Sequence, residues 1–334
     1  MAPLATPVAA YRLAVMHLDR RLAAGDHRRA AYGGLQDTVP RAGLLGLHAR
    51  MDGVDLGSWE HPDLAQVWLR WADYLVPRRD VGIFTLGAAP RDPELRRRLD
   101  DQADAVVAAL DGRARSYREL AAVRPDLRDS RVLRPLAVTG KLHLRWDASA
   151  MAVVPAVPAD IDEEEARREL ARRFLHWLGP ATAERFARWA GVSRADAEAT
   201  WRAIGPELVA VGAGWMRAED RALLDHPAAP PDGARLLPQG DPYLYPHGGL
   251  SVPQPPPGLA EQLERSGVPA RVRNGLGGRV IVAGRMVGSW GRAGAAVTVA
   301  PWRALGDDEM GQLKAELDRL AGPLGRPPAV NWLT

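Results

Sequence analysis

Thr182-Ala183-Glu184-Arg185-Phe186-Ala187-Arg188-Trp189-Ala190-Gly191-Val192-Ser193-Arg194-Ala195-Asp196 is the stretch whose reading decides the fold. The Thr182 hydroxyl can accept the unpaired amides of a first helical turn, and Ala190-Gly191 ends the helix it starts. Ser193 with Asp196 begins a second helix that reaches about Ile204. Two short extended runs, 207–211 and 215–217, then flank Gly212-Ala213-Gly214 and predict a hairpin. A tight helix-turn-helix followed by a hairpin is the order of a winged helix. Upstream, residues 160–178 supply a preceding helix with an acidic first turn and the stripe Ala166, Leu170, Phe174 and Trp177. The second helix carries Arg194 and Arg202 but also Asp196 and Glu198, so it reads as packing scaffold rather than a reader of phosphates.

The same order stands earlier in the chain. Asp92 opens a helix with Leu95, Leu99, Val106 and Leu110 on one stripe, and Ser116-Tyr117-Arg118-Glu119 has the form of a capping box. Pro125 stops that helix, and a short one over 130–138 bends near Pro135. Lys141, His143 and Arg145 then alternate with Leu142, Leu144 and Trp146, Asp147-Ala148-Ser149 turns the chain, and 151–154 returns. The ribbon's outer face is basic, which makes Lys141, His143 and Arg145 candidate DNA contacts. Arg78 and Arg79 join them from the break Pro77-Arg78-Arg79-Asp80, which interrupts an extended region holding Trp68, Trp71, Tyr74, Val76, Ile83 and Phe84.

At the N-terminal end, residues 7–24 place Tyr11, Val15, Leu18 and Leu22 on one helical face, with Gly25 as the stop. Residues 40–51 repeat the pattern through Leu44, Leu47, His48 and Met51, and His48 on such a stripe reads first as a core residue. After proline-rich linkers at 227–232 and 253–258, two strands flank Gly284-Arg285, a third follows at 297–300, and 307–321 closes as a helix. The expected fold class is α+β. Three units, 1–158, 159–226 and 227–334, are built largely from tandem winged-helix motifs, with a β-hairpin-containing unit at the C-terminal end.

Composition narrows the chemistry. The chain has 334 residues, more than one core usually serves, with 44 basic and 41 acidic residues, a net charge of +3. Lys141 and Lys314 are the only lysines, and there is no cysteine, which excludes disulfides, thiolate metal sites and cysteine nucleophiles. No metal or cofactor is expected. No apolar run approaches bilayer length and no signal pattern precedes the first helix, so the expectation is a cytoplasmic protein without a membrane partner.

Gly33-Gly34-Leu35-Gln36-Asp37-Thr38-Val39-Pro40 crowds an amide, a carboxylate and a hydroxyl at a helix entrance. Either Asp37 or Thr38 caps the helix, or the three residues carry chemistry. This stretch, with Pro40-Arg41-Ala42 and Leu47-His48-Ala49-Arg50, residues 140–147 and 172–191, Leu236-Leu237-Pro238 with Asp241, and residues 282–290, resembles the tandem winged-helix DNA-binding proteins that include the AlkZ-like and YcaQ-like DNA glycosylases. Those enzymes act on alkylated and crosslinked DNA. The resemblance implies a catalytic glutamine at Gln36, in a signature of glutamine, an apolar residue, then glutamine or aspartate. Here Asp37 and Thr38 fill the second and third positions, so the chain departs at two of three. Asp37 could supply the missing carboxylate but as a neighbour in an extended segment it points away from Gln36, whereas Thr38 shares Gln36's side. His48 and Asp241 are additional polar candidates, Asp241 most simply as a turn residue.

Three functions follow. The first is a winged-helix protein on double-stranded, alkylated DNA, acting as a monofunctional glycosylase on N7-alkylated purines or crosslinks. Alkylation at N7 makes the base a cationic leaving group, so the site need only stabilise developing charge and place a water. The second is a non-catalytic DNA-binding protein or regulator. The third is a ligand- or protein-binding scaffold built on Trp68, Trp71 and Tyr243-Leu244-Tyr245-Pro246-His247.

Overall fold

The structure is a computed structural model that describes residues 6–69, 72–127, 130–146, 149–157, 159–226, 233–245 and 252–333. The chain divides into two compact units, one formed by Ala31–Pro40 and Pro62–Arg221, the other by Met1–Ala30, Arg41–His61 and Ala222–Thr334. Of the boundaries expected from the sequence, 158/159 falls inside the first of these and 226/227 lies near its end at Arg221.

The unit containing Ala31–Pro40 holds three sheets. Strands β1 (Leu35–Gln36), β2 (Leu64–Leu69) and β3 (Ala72–Pro77) pair antiparallel in the order β1-β3-β2. Every residue of β2 and β3 is buried, so both faces of this hairpin are covered and its sequence is a nearly continuous apolar run. Gln66 and Asp73 are the polar exceptions. After Asp80, where the sequence suggested a further extended segment holding Ile83 and Phe84, the chain instead forms a short helix, Val81–Thr85.

Helix Pro93–Leu110 is capped by Asp92, whose Oδ1 accepts the Leu95 N–H at 2.7 Å. Ser116 and Glu119 close a capping box at the start of helix Tyr117–Val123. The expected bent segment is helix Ser130–Leu133 followed by a 3-10 turn, Arg134–Thr139. Strands β4 (Arg115–Ser116), β5 (Leu142–Trp146) and β6 (Met151–Pro155) form a sheet in the order β4-β6-β5. The helices and this sheet share a core of Val106, Leu110, Leu120, Leu142, Leu144 and Val153. Residues 147 and 148 of the expected turn lie outside the described residues.

Helix Glu163–Leu178 is followed by helices Ala183–Ala190 and Arg194–Ile204, N-capped by Thr182 and Ser193 as the sequence predicts. Phe174 sits between Phe186 and Trp189, with ring centroids 5.5 and 5.1 Å away, and Trp201 closes the aromatic cluster. Each such buried ring contributes about 1.5–3 kcal/mol by leaving water, enough to fix the angle of a turn this short. Strands β7 (Leu208–Val211) and β8 (Gly214–Arg217) then form the expected hairpin. The order helix, helix, hairpin therefore occurs twice in this unit.

In the other unit, β9 (Ala234–Leu237), β10 (Gly278–Val282), β11 (Arg285–Ala293), β12 (Ala296–Pro301) and β13 (Ala329–Trp332) form a sheet in the order β13-β12-β11-β10-β9. Its core gathers Leu45, Val280, Trp290, Val299, Leu313 and Leu317 from the sheet and from helices Ala42–Arg50 and Asp307–Arg319. The helix expected over 7–24 is shorter, Pro7–Val15, because His17 takes a left-handed φ of 56° and the chain turns. Leu18 and Leu22 are buried nonetheless, Leu22 by bridging to Met51. Residues 253–258 carry no regular structure, and 227–232 lie outside the described residues. Among the described residues no helix is long and apolar enough to cross a membrane.

Candidate active site

The turn that delivers β1 is held from helix Glu163–Leu178. The Tyr32 carbonyl accepts from Arg173 Nη1 at 3.0 Å, and the Arg173 guanidinium lies 4.4 Å from the Tyr32 ring centre. Arg173 is itself buried and paired with Asp80 at 3.2 Å and Glu169 at 3.1 Å. Two glycines follow for two separate reasons. A Cβ on Gly33 would run into the Trp177 ring, and Gly34 has φ 81°.

From that fixed point the strand register decides which side chains meet. Leu35 pairs with Leu75 and Gln36 with Tyr74, and the Asp37 N–H donates to the Asp73 carbonyl at 2.8 Å. Alternation along the strands puts Gln36, Thr38 and Tyr74 on one face. Asp37, Asp73 and Leu75 take the other, joined from β2 by Gln66 and Trp68, which pair with Leu75 and Asp73. On the first face Gln36 is half-buried and Thr38 exposed, and Gln36 Nε2 lies 3.4 Å from Thr38 Oγ1. Thr38 Oγ1 also accepts the Asp73 N–H at 3.2 Å. On the second face Asp37 is 1% exposed, and its Oδ2 accepts from Gln66 Nε2 at 2.8 Å.

Neither Asp37 nor Thr38 caps the following helix. It starts at Ala42 with Arg41 at the cap position, φ 63°, and no side-chain cap bond. Thr38 spends its oxygen on Asp73 and Gln36 instead. Asp37 points away from Gln36, as an extended segment requires.

Asp73 is 2% exposed, and burial, followed by the charge of Asp37, pushes its carboxyl up to about 7 against the pull of Arg134. The Arg134 guanidinium stacks on Trp68 at 4.2 Å, beside Asp73. Burial pushes the Tyr117 phenol up to about 12, with Arg134 and Asp73 as its charged neighbours. Among the described residues, Asp37, Asp73, Gln66, Arg134 and Tyr117 therefore gather behind Gln36.

The basic ribbon face is less cationic than its sequence. Lys141 Nζ donates to both Asp104 carboxylate oxygens at 2.8 Å and lies 3.4 Å from Asp100. Burial, with Arg78 nearby, pulls the His143 imidazole down to about 4, so it is neutral near pH 7. Arg145 is exposed. Arg78 donates to the Pro62 carbonyl at 2.6 Å and the Leu64 carbonyl at 2.8 Å, while Arg79 beside it is exposed.

His48 and Asp241 belong to the other unit, in buried ionic clusters. Arg21 grips Glu316 at 2.5 and 2.6 Å, with His48 Nε2 3.6 Å from the same carboxylate. Asp241 is bonded by Arg50 at 2.7 and 2.8 Å and caps the turn Pro242–Leu244 through the Tyr243 N–H. Of the residues proposed as a pocket, Trp68 and Tyr243 are buried, and Trp71, Pro246 and His247 lie outside the described residues. This unit also has a cleft of about 290 Å³ edged by Arg41, Arg292 and Arg326 and floored by Leu44, Leu45 and Leu56, with no acid in its lining.

Sequence reasoning passed over Arg173, Gln66, Asp73 and Arg134. The signal for two of them was a lone polar residue in each of two adjacent apolar strands, at positions that share a face once the strands pair. Arg173 was hidden in a charge-rich helix.

The profile of the AlkZ-like DNA glycosylase family matches residues 29–322. Among solved structures, the Streptomyces sahachiroi DNA glycosylase AlkZ is similar with a TM-score of 0.71 and 21% sequence identity, over 98% of this chain and 98% of that one. No curated protein matches this chain.

Proposed function

We propose, for a chain that belongs to the AlkZ-like DNA glycosylase family, that it hydrolyses the N-glycosidic bond of N7-alkylated purines, or of crosslinks anchored at such purines, in double-stranded DNA. The observation that carries this is the pairing of Gln36 with Thr38 on one face at the end of β1, inside the family match. The side-chain amide of Gln36, which can both donate and accept, orients the attacking water. An amide orients that water but takes little of its proton, which suits a substrate whose base leaves by neutralising its own positive charge. Water oxygen bonds to C1′ as the C1′–N9 electron pair departs with the base, and the water's proton passes to solvent. Asp37 plays no part on this face.

The two helix-helix-hairpin segments are, in this reading, winged-helix units that hold the duplex. Arg79 and Arg145 contact phosphates without reading sequence. The chain has two lysines, and Lys141 is paired to Asp104, so in this reading the enzyme removes the base without forming a Schiff base or cutting the backbone. Borohydride should trap no covalent DNA adduct.

A second reading, a DNA-binding protein without catalysis, draws on Thr38 standing where a second amide or carboxylate is expected. Incubation with duplex DNA containing N7-methylguanine separates the two. The glycosylase gives alkali-labile sites that Gln36→Ala abolishes, and the regulator gives only salt-dependent binding with preference for one undamaged sequence.

A further inference from the structure

We propose that His27 and His61 form a binding site for a divalent transition-metal ion of the zinc class, a site independent of the glycosylase reading. Both residues belong to the unit formed by Met1–Ala30, Arg41–His61 and Ala222–Thr334. Their imidazoles stack with ring centres 3.7 Å apart and planes 18° from parallel. A ring nitrogen of one lies within 4.8 Å of a ring nitrogen of the other. Two imidazole nitrogens on one tetrahedral zinc stand about 3.3 Å apart at ordinary zinc–nitrogen lengths. The rings are thus spaced nearly as two ligands side by side, and a small rotation of the half-buried His61 supplies the remainder.

The hydrogen bonding of His27 fixes which nitrogen serves the ion. Its Nδ1 lies 3.1 Å from the Gly25 carbonyl oxygen. A carbonyl only accepts, so Nδ1 carries the hydrogen, and Nε2 is the nitrogen with a lone pair in the neutral ring. A carbonyl on the second nitrogen is the arrangement that holds metal-ligating histidines in one tautomer and orientation. Gly25 makes that bond possible, because its φ of 92° bends the chain so that its carbonyl meets the side chain two residues on. His27 is 5% exposed, which leaves its ring little room to turn away.

His61 is set from a separate stretch. It follows the 3-10 helix Leu56–Glu60, whose start is closed by a capping box: Asp55 Oδ1 accepts the Ser58 N–H at 2.8 Å, and Ser58 Oγ accepts the Asp55 N–H at 3.0 Å. Trp59 anchors that helix in the core, and the His61 N–H donates to the Ser58 carbonyl at 3.3 Å. Both histidines therefore leave fixed turns, which lowers the ordering cost of capturing an ion. Without cysteine, the available set is imidazole nitrogen with oxygen donors, water among them. Imidazole suits zinc, copper or nickel, whereas calcium and magnesium seek oxygen alone. An ion held here ties residues 25–27 to residue 61 and stabilises the folded chain as any ligand of the native state does.

The test is calorimetric titration of zinc into the untagged, chelator-treated full-length protein in excess magnesium, with melting temperature followed in parallel. A single zinc ion per chain should bind, the melting temperature should rise with zinc concentration, and X-ray absorption of the bound ion should show imidazole nitrogens at about 2.0–2.1 Å. His27→Gln and His61→Gln should each weaken zinc binding at least about tenfold and remove the thermal shift. His61 is the less buried of the two, so its variant keeps the comparison available if His27→Gln does not fold. Absence of saturable binding by the wild type overturns the proposal with no variant needed. Zinc that stays bound in His61→Gln, is displaced by magnesium, or shows no imidazole signature is an adventitious ion only and overturns it equally. Neither result bears on excision, which is measured separately.

Discussion

Replacing Arg50 by methionine should separate structural acids from chemical ones. The Arg50 and Asp241 side chains are both 0% exposed and joined by two bonds, 2.7 and 2.8 Å, and Asp241 otherwise receives the Tyr243 N–H at 2.9 Å. Arg50→Met leaves the carboxylate buried with that single amide. Removing one partner of a buried pair costs about 3–5 kcal/mol, because the remaining charge keeps its desolvation penalty without its compensation. For a unit of this size the melting temperature should drop on the order of 10 °C. Adding Asp241→Leu removes the stranded charge and should restore all but about 1 kcal/mol, the value of the lost turn cap. Equilibrium urea denaturation of the three proteins measures this, with abasic-site formation normalised to folded protein. A single variant within about 1 kcal/mol of wild type would refute the stability argument. A double variant that regains stability but loses excision would refute the assignment of Asp241 to structure.

Gly33→Ala should cost stability through the Trp177 ring and reduce excision more than it reduces folding, since it shifts the turn that delivers Gln36; unchanged excision would break that link. Arg145→Ala or Arg79→Ala should each weaken duplex binding and lower the salt slope by about 1, whereas Lys141→Ala should change binding little because its charge is already matched by Asp104; fluorescence anisotropy against salt tests the contrast. His143, held near 4, is neutral in the fold but protonated in the unfolded chain below about 6.5. Its contribution is present above the unfolded value and lost as pH falls toward 4, so wild type should lose stability over that window and His143→Gln should lose less, read from melting temperature against pH.

The sequence made the helices legible wherever a cap and a stop stood at both ends. Thr182, Ser193, Asp92 and Ser116 all cap as read, because these oxygens act on amides three residues away. It failed at 16–24, where apolar spacing continued past the end of the helix: Leu18 and Leu22 are buried by an irregular path that happens to match the helical period. Burial alone cannot distinguish the two. The alternation at 141–146 is present, but the charge of Lys141 on that face is matched by Asp100 and Asp104 from a helix more than thirty residues away. Long-range pairing of charge leaves no local pattern. The same holds behind Gln36, where Asp37 is turned inward by alternation, which the sequence could foresee, toward Gln66 and Asp73, which it could not.

The most direct measurement of the account is abasic-site formation in duplex DNA carrying a single N7-methylguanine, with wild type and Gln36→Ala compared at equal, verified folding. The account predicts alkali-labile cleavage at the modified base with the wild type and none above the spontaneous rate with the variant. Intact DNA with the wild type, or equal cleavage by both proteins, would contradict it.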